Sequence, residues 1–161
     1  MTTTNYSNGY PRTLSTRLLA AWCGIDQAFD GLQPLASLLA RLYVAQVFFA
    51  SGLTKLRDWD ITLALFTDEY KVPVLSPHLA AVMGTAGELV LPVLLVLGLG
   101  GRFAALGLSF VNVVAVISLA EIAPAALQQH ISWGILLLAL VVFGSGRWAL
   151  DKPLRAWLSK R

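Results

Sequence analysis

Glu88 is the residue whose surroundings in the sequence point most directly to chemistry. It lies near the centre of an apolar stretch, 79–97, in which it is the only charged residue. As an α-helix these nineteen residues span ~28 Å, which matches the hydrocarbon thickness of a bilayer. A carboxylate at that depth costs at least ~2.5 kcal/mol, so Glu88 must be protonated, paired or facing a wet cavity. We interpret Glu88 as part of a functional site; a structural contact that fixes helix register would explain the same residue.

Three neighbours of Glu88 add to this interpretation. Pro92 has no N–H, so the carbonyl of Glu88, one turn earlier, loses its helical donor. Gly84 and Gly87 precede Glu88 by about one turn and would allow another helix to approach closely. The stretch therefore combines a buried charge, a freed carbonyl and a close-packing surface.

The first predicted span offers Glu88 two cations, Arg41 and Lys55, on one helical face. Two small residues, Ala45 and Gly52, share that face. If the two spans are antiparallel neighbours, Glu88 lies ~7 Å along the axis from Arg41 and ~13 Å from Lys55. A lysine near a helix end commonly extends its ammonium to the interface. The spacing therefore predicts a buried Arg41–Glu88 pair.

The remaining polar candidates lie in or beside the later spans. Asn112 is expected to hydrogen-bond between helices in the third span. His78, His130 and Glu121 fall near the outer ends of predicted helices. Two histidines are few for a metal or haem site, so we predict no metal site. The candidate buried polar site comprises Arg41, Glu88, Lys55 and Asn112.

The composition defines the class of protein that must hold these residues. Of 161 residues, 57% are hydrophobic and only 13% are charged, and the mean hydropathy is +0.68. These values indicate an integral membrane protein of one domain. The net charge of +3 does not indicate nucleic acid binding, because the basic residues flank apolar spans. The single cysteine, Cys23, cannot form a disulfide within the chain, so the chain cannot carry out dithiol–disulfide exchange by itself. A redox role would need a partner or a bound cofactor.

We predict an all-α fold, with four transmembrane helices in an antiparallel bundle preceded by an N-terminal amphipathic helix at the membrane interface. A polar tail and the amphipathic helix occupy 1–33, the transmembrane domain 34–151, and a basic tail 152–161. Gly31 and Pro34 are expected to end the amphipathic helix. Its alternative location is on a partner protein. The predicted spans are 35–56, 79–97, 103–119 and 127–143.

The amphipathic helix has one apolar face at helical spacing. That face comprises Leu14, Leu18, Trp22, Ile25, Phe29 and Leu32. The segment 57–77 between the first two spans predicts a short interfacial helix around Trp59, Leu63 and Phe66, followed by a solvated loop. With four spans, most lysines and arginines fall on the side of both termini, which places both termini in the cytoplasm.

The chain resembles the DoxX family of small four-helix bacterial membrane proteins. The resemblance covers about 41–151 and rests on several short pieces in order. These are an arginine before Phe48-Phe49-Ala50-Ser51-Gly52-Leu53-Thr54-Lys55, then Glu69-Tyr70-Lys71-Val72-Pro73, Glu88-Leu89, Arg102-Phe103-Ala104-Ala105, His130, and Gly144-Ser145-Gly146-Arg147 with Leu150-Asp151.

The resemblance implies a component of the bacterial inner membrane that belongs to a redox or metal-stress system. Some members resemble subunits of thiosulfate:quinone oxidoreductases, which suggests a quinone as the cofactor and Arg41 with Glu88 as its pocket. Others are thought to anchor soluble redox enzymes, so the alternative is a non-catalytic anchor or accessory protein. The expected partners are the lipid bilayer and either another protein or a second copy of the chain, with no nucleic acid.

Overall fold

The regular secondary structure of the described residues is entirely α-helical. A computed structural model describes residues 14–146, 148–151 and 156–157. It contains α1 (Leu14–Arg57), α2 (Trp59–Asp68), α3 (Pro77–Leu97), α4 (Gly101–Ile117) and α5 (Pro124–Phe143), and no strand among these residues. The predicted all-α class is confirmed. The predicted polar start, 1–13, and most of the basic tail, 152–161, lie outside the described residues.

Within the described residues, three helical segments are long and apolar enough to cross a membrane: Ala21–Arg57, Pro77–Leu97 and Pro124–Phe143. The fourth apolar helix, Gly101–Ile117, is shorter, at 17 residues. An α-helix of that length spans ~25 Å. The protein is therefore a membrane protein by the length and composition of its helices.

The prediction that Gly31 and Pro34 end a separate helix is wrong. Leu14–Arg57 is one helix of 44 residues with Pro34 inside it. A proline removes one backbone hydrogen bond, and a long helix in an apolar setting tolerates that loss. By internal contacts the chain divides at the same place, into the units Met1–Gln33 and Pro34–Arg161.

The helix ends follow local capping rules. Asp58 accepts a hydrogen bond from the backbone N–H of Ile61 at 3.0 Å and so begins α2. Ser76 caps α3 in the same way, with Pro77 in the first turn. Gly98 ends α3 in the left-handed conformation, with φ of 67°, which glycine adopts at little cost. These signals keep the turn between α3 and α4 short.

The core of the second unit lies between α1, α3, α4 and α5. Its fully buried members include the small residues Ala104 and Ala105, which let helices pack closely. The core comprises Val44, Phe48, Leu95, Ala104, Ala105, Leu108, Leu137 and Leu140. A smaller cluster, Phe66 with Ala80 and Ala81, packs α2 against α3. α2 is thereby held beside the first turns of α3.

Candidate functional site

Glu88 is paired in the interior, and its partner is Lys55. The Nζ of Lys55 lies 2.7 Å from Oε2 of Glu88 and also donates to Oγ of Ser51 at 2.9 Å. The two charged side chains are 19% and 10% exposed. This is the only ion pair between residues that the structure describes. The carboxylate is thus neutralised by a cation that reaches inward rather than toward the interface.

The predicted Arg41–Glu88 pair is wrong, and the register of α1 against α3 explains why. A β-carbon built on Gly52 would lie 3.1 Å from Cβ of Glu88 and 2.9 Å from the Leu89 side chain. α1 therefore passes Glu88 at Gly52, one turn from Lys55. Arg41 precedes Gly52 by eleven residues on α1, which corresponds to ~16 Å along the helix axis. The prediction aligned the centres of two spans, whereas this close glycine contact determines the register.

The position of Lys55 is fixed by groups that the sequence prediction did not include. Thr62 of α2 is buried, and its Oγ1 lies 2.8 Å from the carbonyl oxygen of Lys55 and 2.9 Å from that of Asp58, so the two acceptors share its one hydroxyl hydrogen. Ser51, one turn before Lys55, accepts from its ammonium. The end of α1, the start of α2 and the ion pair therefore form one connected set of hydrogen bonds.

Thr85 is a second group that the sequence prediction missed. It lies one turn before Glu88 on α3 and is 3% exposed. Its Oγ1 is buried and makes no hydrogen bond with any part of the chain that the structure describes. Its spacing of three residues from Glu88 could have identified it, because such residues share a helix face.

Asn112 of α4 bonds to His130 of α5 at two points. Its Nδ2 donates to the backbone carbonyl of His130 at 2.9 Å, and its Oδ1 lies 2.8 Å from Nδ1 of His130. Because a carbonyl oxygen only accepts, Nδ1 carries the hydrogen in this arrangement. In the neutral ring Nε2 then has a lone pair and can accept a hydrogen bond or a proton.

Trp133 extends this cluster along α5. Its ring meets that of His130 edge-on, with centroids 4.9 Å apart, and that of Phe48 at 6.0 Å. Its indole Nε1 is buried and has no hydrogen-bond acceptor among the described residues. An unpaired buried N–H is uncommon and costs ~1–3 kcal/mol, so its presence requires an explanation.

The two polar pairs lie at about the same depth. A β-carbon built on Gly87 would lie 3.3 Å from Val111, so α4 passes Glu88 beside Asn112. As whole residues, Glu88 and Asn112 are 8% and 5% exposed, so both lie in the interior. We call the two polar pairs, together with the neighbouring Thr85 and Trp133, the polar layer. It comprises Lys55, Glu88, Thr85, Asn112, His130 and Trp133.

A cleft of about 270 Å³ lies between α2, the following loop and the start of α3. Its lining includes Phe66, Tyr70 and Lys71. Burial raises the pKa of the Tyr70 hydroxyl, and the negative charges of Glu69 and Glu88 raise this pKa further. The ring of Phe66, which lines the cleft, faces Gly84, one turn from Glu88; a β-carbon built on Gly84 would lie 3.6 Å from its Cζ.

The other predicted site residues lie apart from the polar layer. Arg41 is 0% exposed and donates from Nη1 to the carbonyl of Val96 at 3.2 Å, near the end of α3. His78 and Glu121 are exposed. Among the described residues, no three histidine, cysteine, aspartate or glutamate side chains come together as metal ligands.

Asp151 has a structural role at the end of α3. Its carboxylate accepts from the N–H of Gly100 at 2.8 Å and from that of Gly101 at 3.3 Å. These are free donors at the start of α4, where a negative charge also interacts favourably with the helix dipole. The segment after α5 therefore closes the turn between α3 and α4.

The fold and the polar layer define an α-helical membrane protein with ionisable groups in its interior. The chain belongs to the DoxX family, whose model matches residues 36–121, or 86 of the 161 residues. The matched part includes Lys55, Thr85, Glu88 and Asn112 and ends before α5. Comparison with curated proteins and with solved structures gave no match.

Proposed function

We propose that this DoxX-family protein is the membrane component of a quinone-linked redox system, with the polar layer as the binding place of the quinone head group. The observation that carries the proposal is two unsatisfied buried donors, the Thr85 hydroxyl one turn before Glu88 and the Trp133 indole N–H beside the His130 ring. Ionisable groups inside a membrane bundle mark ligand or proton pathways by default.

The donor set suits a quinone. A quinone ring is apolar at its faces and has two carbonyl oxygens that accept hydrogen bonds. Thr85 and Trp133 each offer a donor without a partner among the described residues, and Phe48 and Trp133 offer aromatic surface. Glu88 and Nε2 of His130 can hold a proton released or required there. When bound, the quinone would supply the two-electron chemistry.

Electrons would come from a partner. The chain has one cysteine, which cannot alternate between dithiol and disulfide within the chain. A soluble or membrane redox enzyme is therefore part of the proposal. The protein itself would hold the head group, orient it and provide proton-carrying side chains.

The proposed architecture is a four-helix antiparallel bundle in the bacterial inner membrane, with both termini in the cytoplasm. The contacts of α1 with α3 support opposite directions, since Lys55 meets Glu88 whereas Arg41 meets Val96. Likewise Gly87 meets Val111 whereas Gly107 meets Leu91, between α3 and α4. Reporter fusions after residue 161 that were active only in the periplasm would contradict this topology.

Quantifying quinone in the purified protein tests the function. We expect near-stoichiometric quinone in organic extracts of wild-type protein purified in mild detergent. Thr85→Val removes one donor without a change in volume and Trp133→Phe removes the other with a smaller ring, and each should lower the retained quinone several-fold. Ser132→Ala is the matched control, because Ser132 is exposed and bonds only within its own helix.

The proposal fails if wild-type protein holds no quinone after supplementation, or if both donor variants retain it at the level of the control. Thermal unfolding separates a lost site from a lost fold. Because the Thr85 hydroxyl has no partner among the described residues, the isosteric Thr85→Val should leave the unfolding temperature unchanged or raised, whereas Trp133→Phe should lower it because a smaller ring leaves a cavity.

A non-catalytic anchor is the second candidate, favoured by the apolar face of the first part of α1. Leu18, Trp22, Ile25, Phe29 and Leu32 are each at least 50% exposed. Such a face would bind a partner protein or lie in the interface. Trp22→Ser with Phe29→Ser should abolish co-purification of a partner enzyme while leaving quinone retention intact.

A further inference from the structure

Arg41 is a fully buried cation whose hydrogen-bonding capacity is mostly unused. Its side chain is 0% exposed, and Nη1 donates to the carbonyl of Val96 at 3.2 Å. Its Nε and Nη2 are buried and make no hydrogen bond within the described part of the chain. Three N–H groups of a guanidinium are thus unsatisfied in the interior.

No side-chain carboxylate neutralises this charge. All nine aspartates and glutamates of the sequence belong to the described residues. The only ion pair between described residues joins Lys55 to Glu88. Asp151, on the segment that bonds to Leu97 and Gly98, is engaged by the N–H groups of Gly100 and Gly101.

The end of α3 compensates Arg41 only in part. The carbonyl end of a helix carries roughly half a negative charge, and Val96 supplies one acceptor there. The remaining N–H groups still lack acceptors. A buried charge that is neither paired nor fully hydrogen-bonded is strongly destabilising, so the fold alone gives Arg41 no adequate partner.

Ser37 adds a second unsatisfied group. It lies one turn before Arg41 on α1, and its Oγ is buried without a hydrogen-bond partner among the described residues. Two glycines border these side chains. A β-carbon on Gly98 would lie 2.9 Å from Nη1 of Arg41, and one on Gly146 would lie 3.1 Å from Oγ of Ser37.

We propose that Arg41 and Ser37 bind a phosphate-type oxyanion, from an anionic lipid head group or from free phosphate. A guanidinium presents its N–H groups as a planar fork that matches two oxygens of a phosphate, and a serine hydroxyl donates to a third. The turn between α3 and α4 and the segment 144–146 border these two side chains, so this end of the unit is where a head group would meet them. Because Arg41 is 0% exposed, binding requires a local opening beside Gly98, which borders Arg41, and Gly146, which borders Ser37.

This site is independent of the polar layer. Arg41 and Lys55 are fourteen residues apart on α1, which corresponds to ~21 Å. Quinone retention and oxyanion binding can therefore fail separately.

Thermal unfolding of the full chain in detergent tests the proposal, with three additions in parallel: inorganic phosphate, phosphatidylglycerol and diacylglycerol, which has no phosphate. We expect phosphatidylglycerol to raise the unfolding temperature of the wild type in a saturable way, and diacylglycerol not to do so. A rise with inorganic phosphate as well would identify the phosphate group alone as sufficient. A rise with phosphatidylglycerol only would identify the lipid as the source.

The variants locate the effect. Arg41→Lys keeps the charge but loses the fork, and it should weaken the apparent affinity for the phosphate group about tenfold or more. Ser37→Ala loses the hydroxyl and should weaken that affinity several-fold. Arg102→Met is the control, because Arg102 lies near the same turn but is exposed and bonds to Val142. It should leave the affinity within twofold of the wild type.

The proposal is overturned if neither phosphate source stabilises the wild type, or if Arg102→Met weakens the affinity as much as Arg41→Lys. If Arg41→Lys does not fold, the affinity of Ser37→Ala for the phosphate group tests the proposed site instead. Unchanged affinity in that variant would also overturn the proposed site.

Discussion

The ammonium of Lys55 on α1 and the carboxylate of Glu88 on α3 lie 2.7 Å apart inside the helical unit. Gly52, one turn before Lys55, contacts Glu88 and Leu89 and sets the register that brings them together. The pair joins α1 to α3 and places a titratable carboxylate at the depth of Asn112 and His130.

Replacing one partner of the Lys55–Glu88 pair should lower the free energy of unfolding more than replacing both. Lys55→Met or Glu88→Gln alone leaves one charge unpaired, which costs roughly 3 kcal/mol, the lower end of the range because Lys55 is partly exposed. The double variant should be more stable than the sum of the single losses predicts. Thermal unfolding and the amount of folded protein in membranes measure the coupling. The matched cycle of Arg41→Leu with Glu88→Leu should be additive, and strong coupling there would contradict the observed register.

Gly52 should not tolerate alanine, whereas Gly84 should. A β-carbon on Gly52 would lie 2.9 Å from Cγ of Leu89 and 3.1 Å from Cβ of Glu88, so both side chains would have to shift to relieve the contact. At Gly84 the nearest atom is at 3.6 Å, an ordinary contact distance. We expect Gly52→Ala to lower the unfolding temperature by several degrees and Gly84→Ala to leave it within a degree or two of the wild type. Equal behaviour of the two variants would contradict the close approach at Gly52.

His130 should be in the tautomer with hydrogen on Nδ1. Asn112 Oδ1 accepts from that nitrogen, and the amide orientation is fixed by the bond from Nδ2 to the His130 carbonyl. Nitrogen NMR shifts of labelled histidine distinguish the two tautomers, with exposed His78 as the internal reference. Asn112→Leu should remove the Nδ1–H preference and lower stability by ~1–2 kcal/mol. An Nε2–H tautomer in the wild type would contradict the Asn112–His130 geometry.

Tyr70 should ionise at higher pH than an exposed tyrosine, because burial and the charges of Glu69 and Glu88 disfavour the phenolate. Glu88→Gln removes one of these charges, so the pKa of Tyr70 should fall toward its ordinary value while staying raised by burial. Ultraviolet titration measures this after Tyr6, Tyr10 and Tyr43 are replaced by phenylalanine. Glu121→Gln, which removes an exposed carboxylate, is the control and should leave the titration unchanged.

The class of protein could be predicted from composition and periodicity because both are local properties. Long apolar segments must be helices in a bilayer, since every backbone group needs a partner within the segment. The same reasoning identified Glu88 and Asn112 as interior polar groups, and the short motifs along 41–151 identified the DoxX family. Capping residues mark the two ends of α3, at Ser76 and Gly98, whereas at Pro34 the helix continues because the loss of one backbone hydrogen bond is tolerated in a long helix in an apolar setting.

The partner of Glu88 was decided only by the tertiary structure. Sequence spacing determines which face Arg41 and Lys55 occupy but not how far α1 slides along α3, and a slide of one or two turns changes the partner. The contact of Gly52 with Glu88 and Leu89 fixes that slide. Nor did spacing reveal the unsatisfied groups of Thr85, Trp133, Arg41 and Ser37, because a missing partner depends on every neighbouring helix. The physical reason is that hydrogen bonds between helices join residues distant in sequence, and only packing determines which of them meet.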